Sequence, residues 1–423
     1  MIEEGNKMVK ISILGGGKEI GRSGFGIHED NTTILLDYGV MLKENRPIFP
    51  LSIPPREIDG IILTHAHLDH SGALPIFYIS ESPRIYMKSI TKELTELLIR
   101  DLLHLSSYLL PYEAIELKLM IEKAKKIKRN FRIKNIEIKT FNSGHIPGSI
   151  NVLLNINNKK IWYSGDINTR ETALLNKGEI PDEEVDFVII ESTYGSVDHP
   201  PREECERKLI EILNEVIEGG GRVLIPAFSV GRSQEILCIL RKYNFKYPIV
   251  IDGMSRTATR IIAKWPNEVR DYKLLKKAIS KAFWIKGQKD RDKVLKKPCV
   301  IISSSGMLTG GASTYYMNIM RNNEKDCVVL VSYQIPGTPG RILLDEKIYG
   351  LNKEKVKCRV EWIDFSSHCG KSELISIIKS LKGNPEVLCI HGDENSCENL
   401  ANEIKQEIGL KAYAPFSGNF FEL

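Results

Sequence analysis

The chain has no run of about 18 consecutive apolar residues, so it carries no transmembrane-helix signal. Its opening, MIEEGNKMVKISIL, puts acids where a secretory leader needs basic residues and has no apolar core. That predicts no leader and no membrane partner. The eight cysteines all fall between Cys205 and Cys397, with no CxxC pair among them. This excludes a zinc ribbon and a disulfide framework, and predicts a reduced, cytoplasmic chain whose thiols are core residues. No Walker A sequence is present. The cluster Gly15-Gly16-Gly17 misses the dinucleotide-binding spacing, because Ile20 stands where the third glycine would be. It reads instead as a turn after an N-terminal strand.

What is present is ordinary for a soluble globular protein: 423 residues, 42% hydrophobic and 27% charged, enough for two or three domains. The net charge of +5 is unevenly spread: residues 241–297 hold 17 Lys/Arg against 5 Asp/Glu, or +12, which leaves −7 for the rest. A basic block inside an otherwise acidic protein fits a polyanionic partner, although a solvated lysine-rich face has the same composition.

Periodicity divides the chain into two styles. The first half reads as strands, many in hairpins: 9–15, 33–37, 58–64, 136–141, 149–156, 160–164 and 187–191. A helical period runs from Thr91 to Arg132, interrupted at Pro111. From Glu203 onward, helices alternate with short apolar strands at 222–226, 248–252, 299–303 and 327–331, which predicts a parallel α/β sheet. The strands 356–363 and 386–390 and helices over 372–382 and 397–408 follow.

The strongest local signal is His65-Ala-His67-Leu-Asp69-His70, directly after an apolar strand. Three of the nine histidines fall in these six positions. Imidazoles and a carboxylate so placed suit a catalytic zinc site. Further candidates stand at strand ends: His145 in SGHIPG, Asp166 in YSGD and His391 in IHGD. Each alone is an ordinary turn residue; together they could complete a two-metal hydrolase site.

HAHLDH, SGHIPGS, YSGD and IHGD resemble the metallo-β-lactamase superfamily. ESTYG, IPAFSVGRSQE, ISSSGMLTGG and SSHCG resemble its nucleic-acid-processing β-CASP branch, near archaeal and bacterial relatives of the endonuclease subunit of the cleavage and polyadenylation specificity factor. The resemblance implies an α/β protein: a metallo-β-lactamase αββα sandwich at 1–195 and 355–423, with a parallel α/β β-CASP domain at 196–354 inserted as a cap. It implies one zinc on His65, His67 and His145, a second on Asp69, His70 and His391, Asp166 bridging the two Zn²⁺, and Asp37 orienting the ligand loop. It assigns His368 as the general acid and Glu191 as its partner.

The histidine at 391, where DNA-processing relatives usually carry an apolar residue, points to RNA. The implied activity is a zinc ribonuclease on single-stranded RNA leaving 5′-phosphate and 3′-hydroxyl ends. Endonuclease and 5′-3′ exonuclease modes both stay open, and a homodimer is compatible. A small-molecule metallo-hydrolase would lack the insert and the Glu191/His368 pair; an inactive RNA-binding scaffold would have lost ligands. The resemblance places Ser304, Ser305, Gly306 and Gly310 in a loop facing the RNA backbone. Arg232, opening a helix, is either a bidentate phosphate contact or a structural ion pair.

Overall fold

Strict alternation builds the first strand: in Val9–Gly15 the valine and isoleucines point inward and Lys10, Ser12 and Leu14 are half-exposed. The computed structural model describes residues 8–43, 46–106 and 110–423. The first seven residues, whose acids argued against a leader, and 107–109 of the expected helical stretch lie outside them. The chain divides into two compact units. Unit one comprises 1–171, 177–198 and 367–423; unit two comprises 172–176 and 199–366.

Unit one holds two seven-stranded sheets. Residues from both inner faces share one core, with Ile11, Ile27 and Ile34 of the first sheet packed with Val152, Ile161 and Ile189 of the second. Helices cover the outer faces. Ser89–Ser106 and Ala114–Lys123 supply Ile99, Leu117 and Met120 to one outer cluster. Lys371–Ser380 and Glu394–Glu403 supply Leu374, Ile378 and Leu400 to the other. This is an αββα sandwich. The strands Thr32–Leu36 and Gly60–Ile62 pair in parallel, as do Lys159–Tyr163, Phe187–Glu191 and Glu386–Ile390. The carboxyl ends of each parallel set therefore lie side by side, where α/β sheets carry their sites.

Unit two is a six-stranded, all-parallel sheet with helices between its strands. Its central strands Val223–Pro226, Ile249–Asp252, Val300–Ser303 and Cys327–Leu330 are buried throughout, as parallel strands covered on both faces must be.

Two sequence expectations are corrected. The helical period over 91–132 overshoots: after Lys123 the chain is recruited to sheet edges, Lys125–Lys126 against Ile85–Met87 and Asn130–Ile133 against Ile136–Asn142. Backbone pairing there overrides the side-chain pattern. The strand Arg359–Trp362, expected in the final segment of the sandwich, pairs in parallel with Cys327–Leu330, so unit two runs to 366. Residues 172–176 also join unit two, because the amides of Ala173 and Leu174 donate to the buried Glu235 carboxylate at 3.0 and 2.8 Å.

All eight cysteines are buried and free. Among the described residues, no helix is long and apolar enough to cross a membrane. Ile189, fully buried between the two sheets, tests the shared core. Ile189→Ala should cost about 2–5 kcal/mol in denaturant unfolding; a loss below about 1 kcal/mol would contradict tight packing of the sheets on each other.

Candidate metal centre

Asp37 ends the strand Thr32–Leu36 in the left-handed region, at φ +56°, and is fully buried. Its Oδ1 accepts the Thr64 amide at 2.7 Å. Its Oδ2 accepts three donors, each at 2.8 Å: the Thr64 hydroxyl, His70 Nδ1 and the Tyr163 hydroxyl. Burial and the Asp37 charge push the Tyr163 hydroxyl well above the usual phenol range, so it remains a donor. The ligand loop is also held by its backbone. The carbonyls of Leu68, Asp69 and His70 accept the amides of Val40, Ser23 and Tyr38, all at 2.8 Å. Residue 39 must be glycine, because a Cβ there would sit 1.8 Å from the Asp69 carbonyl oxygen.

The other site residues arrive at neighbouring ends. His145 lies in the turn between Ile136–Asn142 and Ile150–Ile156. Asp166 follows Lys159–Tyr163, Glu191 closes Phe187–Glu191, and His391 follows Glu386–Ile390 at φ +52°. The His391 amide donates to the Gly16 carbonyl at 2.7 Å, which is what the N-terminal glycine turn does. Two residues on, Asp393 caps the final helix by accepting the Ser396 amide at 2.7 Å.

A common tautomer pattern emerges. Nδ1 donates outward from His65 to Thr64 Oγ1 (3.1 Å), from His70 to Asp37, from His145 to the Ser367 carbonyl (2.9 Å) and from His391 to Thr193 Oγ1 (3.2 Å). Their Nε2 atoms then turn inward, toward one another and toward Asp166. His145 Nε2 lies 3.0 Å from His67 Nδ1, and His70 Nε2 lies 3.3 Å from His391 Nε2. Asp166 stands among them: its Oδ2 is 3.4 Å from Nε2 of both His65 and His145, and its Oδ1 is 3.2 Å from His70 Nε2. Asp69 Oδ2 is 3.4 Å from His391 Nε2.

The convergence makes four overlapping groups able to hold a cation: His65, His67, His145 and Asp166; His65, Asp69 and His70; His70, Asp166 and His391; and Asp166, Glu191 and His368. The buried His65 Nε2 and Asp166 Oδ1 make no hydrogen bond, as expected of atoms meant for a cation.

Protonation favours the same conclusion. Burial, reinforced by neighbouring imidazoles, holds His65 and His145 below the usual range and His67 down to about 3, so all three are neutral and able to accept a cation. Burial opposes ionisation of Asp166, yet the surrounding histidines keep its carboxyl well below the usual range. Burial likewise opposes ionisation of Asp69, which His391 and His70 keep low. His70 is the exception: despite burial, Asp166 and Asp37 raise it well above its usual value. A cation must therefore displace a proton from His70 Nε2, and occupancy falls as pH falls.

His368 stands beside this cluster, its ring 4.5 Å from that of His145. Both oxygens of the fully buried Glu191 accept its Nδ1 at 2.9 Å. Glu191 is itself fixed by the Ile167 amide (2.8 Å) and the Thr193 hydroxyl (2.6 Å). Burial opposes the charged imidazolium, but Glu191 and Asp166 outweigh it and carry His368 up to about 9; a nearby cation pushes it back down.

The structure thus brings together Asp37, His65, His67, Asp69, His70, His145, Asp166, Glu191, His368 and His391, all within unit one. The remaining candidates lie in unit two. Ser304 Oγ accepts the Met254 amide at 3.1 Å, and Ser305 Oγ accepts the Thr309 amide at 3.0 Å. Gly306 is buried against the backbone of Ala227 and Phe228, and Gly310 precedes the helix Gly311–Met320 without a side-chain cap. Arg232 is buried at the start of its helix, where its charge acts on Glu235 and Asp364, the setting of an internal ion pair.

Sequence reasoning missed the supporting residues Thr64, Tyr163, Thr193 and the Ser367 carbonyl. The first three sit next to or within the quoted motifs, and hydroxyls adjoining ligands were the available signal.

Family models match three stretches: a Beta-Casp domain over 233–343, a Zn-dependent metallo-hydrolase RNA specificity domain over 353–415, and the anti-Pycsar protein Apyc1 over 11–191. RNase aCSPSF2 of Saccharolobus solfataricus is 40% identical across 98% of this chain and 85% of its own length. Probable RNase MJ4 of Methanocaldococcus jannaschii is 35% identical across 97% and 99%. The transcription termination factor FttA of the same organism is 32% identical across 99% of this chain and 72% of its own. Among solved structures, a protein of unknown function from Enterococcus faecalis shares the fold, with a TM-score of 0.64 at 14% identity, covering 98% of this chain and all of that one.

Asp37 orients ligands without reaching the inward-facing nitrogens. Asp37→Ala should lower zinc affinity about 10- to 100-fold, measured by competition with a chelator. Unchanged affinity would mean that the loop holds its shape without the carboxylate.

Proposed function

The chain belongs to the metallo-β-lactamase β-CASP ribonucleases, and from that premise we propose that it is a two-zinc ribonuclease acting on single-stranded RNA. The observation that carries the reading is the His368–Glu191 pair standing next to the imidazole cluster. A metal site alone would serve many hydrolases. A histidine held by a buried carboxylate beside it supplies the proton that an alkoxide leaving group needs.

We assign His65, His67 and His145 to one zinc, Asp69, His70 and His391 to the other, and Asp166 to both. The group of His65, His67 and His145 and the group of His70 and His391 each include Asp166, which supports a shared carboxylate between two ions. When bound, zinc lowers the pKa of water toward ~7 and offsets charge on the phosphoryl oxygens. The protein's own contribution is orientation and a proton. Asp37, Thr64 and Tyr163 keep the ligand loop in place. Glu191 fixes the ring of His368 through Nδ1 and leaves Nε2–H to donate to the departing 3′-oxygen, giving a 5′-phosphate and a 3′-hydroxyl. Thr193 links the two halves of the site, donating to Glu191 and accepting from His391. Eight buried thiols support a cytoplasmic location.

His368→Ala should leave zinc content unchanged and slow cleavage of single-stranded RNA about 10²–10⁴-fold. Loss of zinc in this variant would make His368 a ligand and remove the general acid. Asp166→Asn should lower bound zinc, read by elemental analysis, and abolish cleavage. A variant that cleaves at the wild-type rate with depleted metal would overturn the two-zinc assignment. The products of end-labelled RNA, internal fragments or 5′ mononucleotides, read the cleavage mode.

A further inference from the structure

The basic block of unit two has an unusual internal arrangement. Helix Tyr272–Lys281 places Lys273, Lys277 and Lys281 at four-residue spacing, all exposed. Helix Gln288–Val294 does the same with Lys289 and Lys293. Like charges at this spacing repel, and each pair costs a helix a few tenths of a kcal/mol. Among the described residues none of these five lysines has an ion pair. The acids within reach along the chain are committed elsewhere. Asp252 pairs with Arg291, Asp271 caps the Leu274 amide, Asp290 accepts the Lys286 amide and Asp292 accepts Gln288 Nε2. Among the described residues, none of the five lysines is therefore paired with a carboxylate.

Between the two helices runs Ala282–Trp284, the edge strand of the six-stranded sheet. Trp284 is half-buried under the Arg260 guanidinium and donates through Nε1 to the Ile279 carbonyl at 3.2 Å, so it faces the first helix. Phe283 points the other way. It registers with Val250, which packs with Val294 and Leu295 at the end of the second helix. Phe283 itself is 41% exposed. An aromatic ring left open on an edge strand, between two helices that carry unpaired lysines, is the composition of a single-strand platform: stacking surface plus phosphate-tracking charge.

We propose that unit two grips single-stranded RNA on this edge, with one base stacked on Phe283 and phosphates held by Lys273, Lys277 and Lys281 on one side and Lys289 and Lys293 on the other. The RNA identity of the partner rests on the function proposed above; the platform rests on the geometry.

The test uses the full chain carrying His368→Ala, so that a short fluorescent oligouridine survives during anisotropy measurements. Phe283→Ala should weaken binding about 5- to 100-fold, the range for loss of one stacked base, and Phe283→Trp should restore it. An abasic oligomer should bind the parent and Phe283→Ala equally. Changing Lys273, Lys277 and Lys281 together to Gln should reduce the slope of log affinity against log salt by about 2, at ~0.7 per phosphate.

Unchanged affinity and slope in these variants, with loss of solubility instead, would overturn the proposal and leave the lysines as protection of an exposed edge. Preference for anionic lipid vesicles over the oligomer would also overturn it. Wild-type cleavage of the same oligomer is scored separately. Cleavage with no effect of the platform variants removes the platform alone, and oligomer binding that depends on Phe283 without cleavage removes the catalytic reading alone.

Discussion

Four donors meet on the carboxylate of Asp37, and they come from three separate stretches of the first unit. Thr64 precedes the ligand loop, His70 closes it, and Tyr163 comes from the opposite sheet. A buried carboxylate without such partners would be strongly unfavourable; with them it becomes a rigid node. Much of what reaches the metal cluster is placed relative to this node. His65 is bound to Thr64, the backbone of residues 38–40 is bound to the loop, and Asp166 follows Tyr163 in the chain.

The cluster works against folding in the absence of a cation. Imidazoles and carboxylates are gathered where they are largely shut off from water, and inward atoms such as His65 Nε2 and Asp166 Oδ1 make no hydrogen bond. The outward nitrogens are each satisfied by the protein, so the cost is concentrated on the atoms that would bind metal. The balance is shifted by the hydrophobic layers on both sides, where the isoleucine-rich strands are buried between the sheets and beneath the helices. His368 adjoins this cluster but is held by a different carboxylate, Glu191, which Thr193 in turn connects to His391.

Much of this was legible in the sequence. His65 to His70 announced themselves by density, and the strand-end positions of Asp166, Glu191 and His391 followed from apolar runs that stop at a polar residue. The parallel sheet of unit two could be read from alternation alone. Other features depend on pairings that no local pattern encodes. Lys125–Lys126 and Asn130–Ile133 follow a helical period and yet extend sheet edges, because an unpaired strand neighbour was available. Arg359–Trp362 reads as part of the last segment, but its partner is Cys327–Leu330. Thr193 sits in a quoted motif, but its role joining Glu191 to His391 depends on residues about 200 positions apart meeting.

The first unit is assembled from stretches of chain that unit two interrupts. During synthesis from the amino end, the sandwich has most of both sheets when residue 198 appears, but the strands Glu386–Ile390 and Phe420–Glu422 and the side chains of His368 and His391 are still missing. Unit two, almost wholly contained in 199–366, emerges next and can close on itself first. The hydrolytic centre is thus completed only after unit two exists, so a truncated or stalled product would carry a basic surface but no finished catalyst. Gene order alone delays the cutting function until the rest of the protein is made.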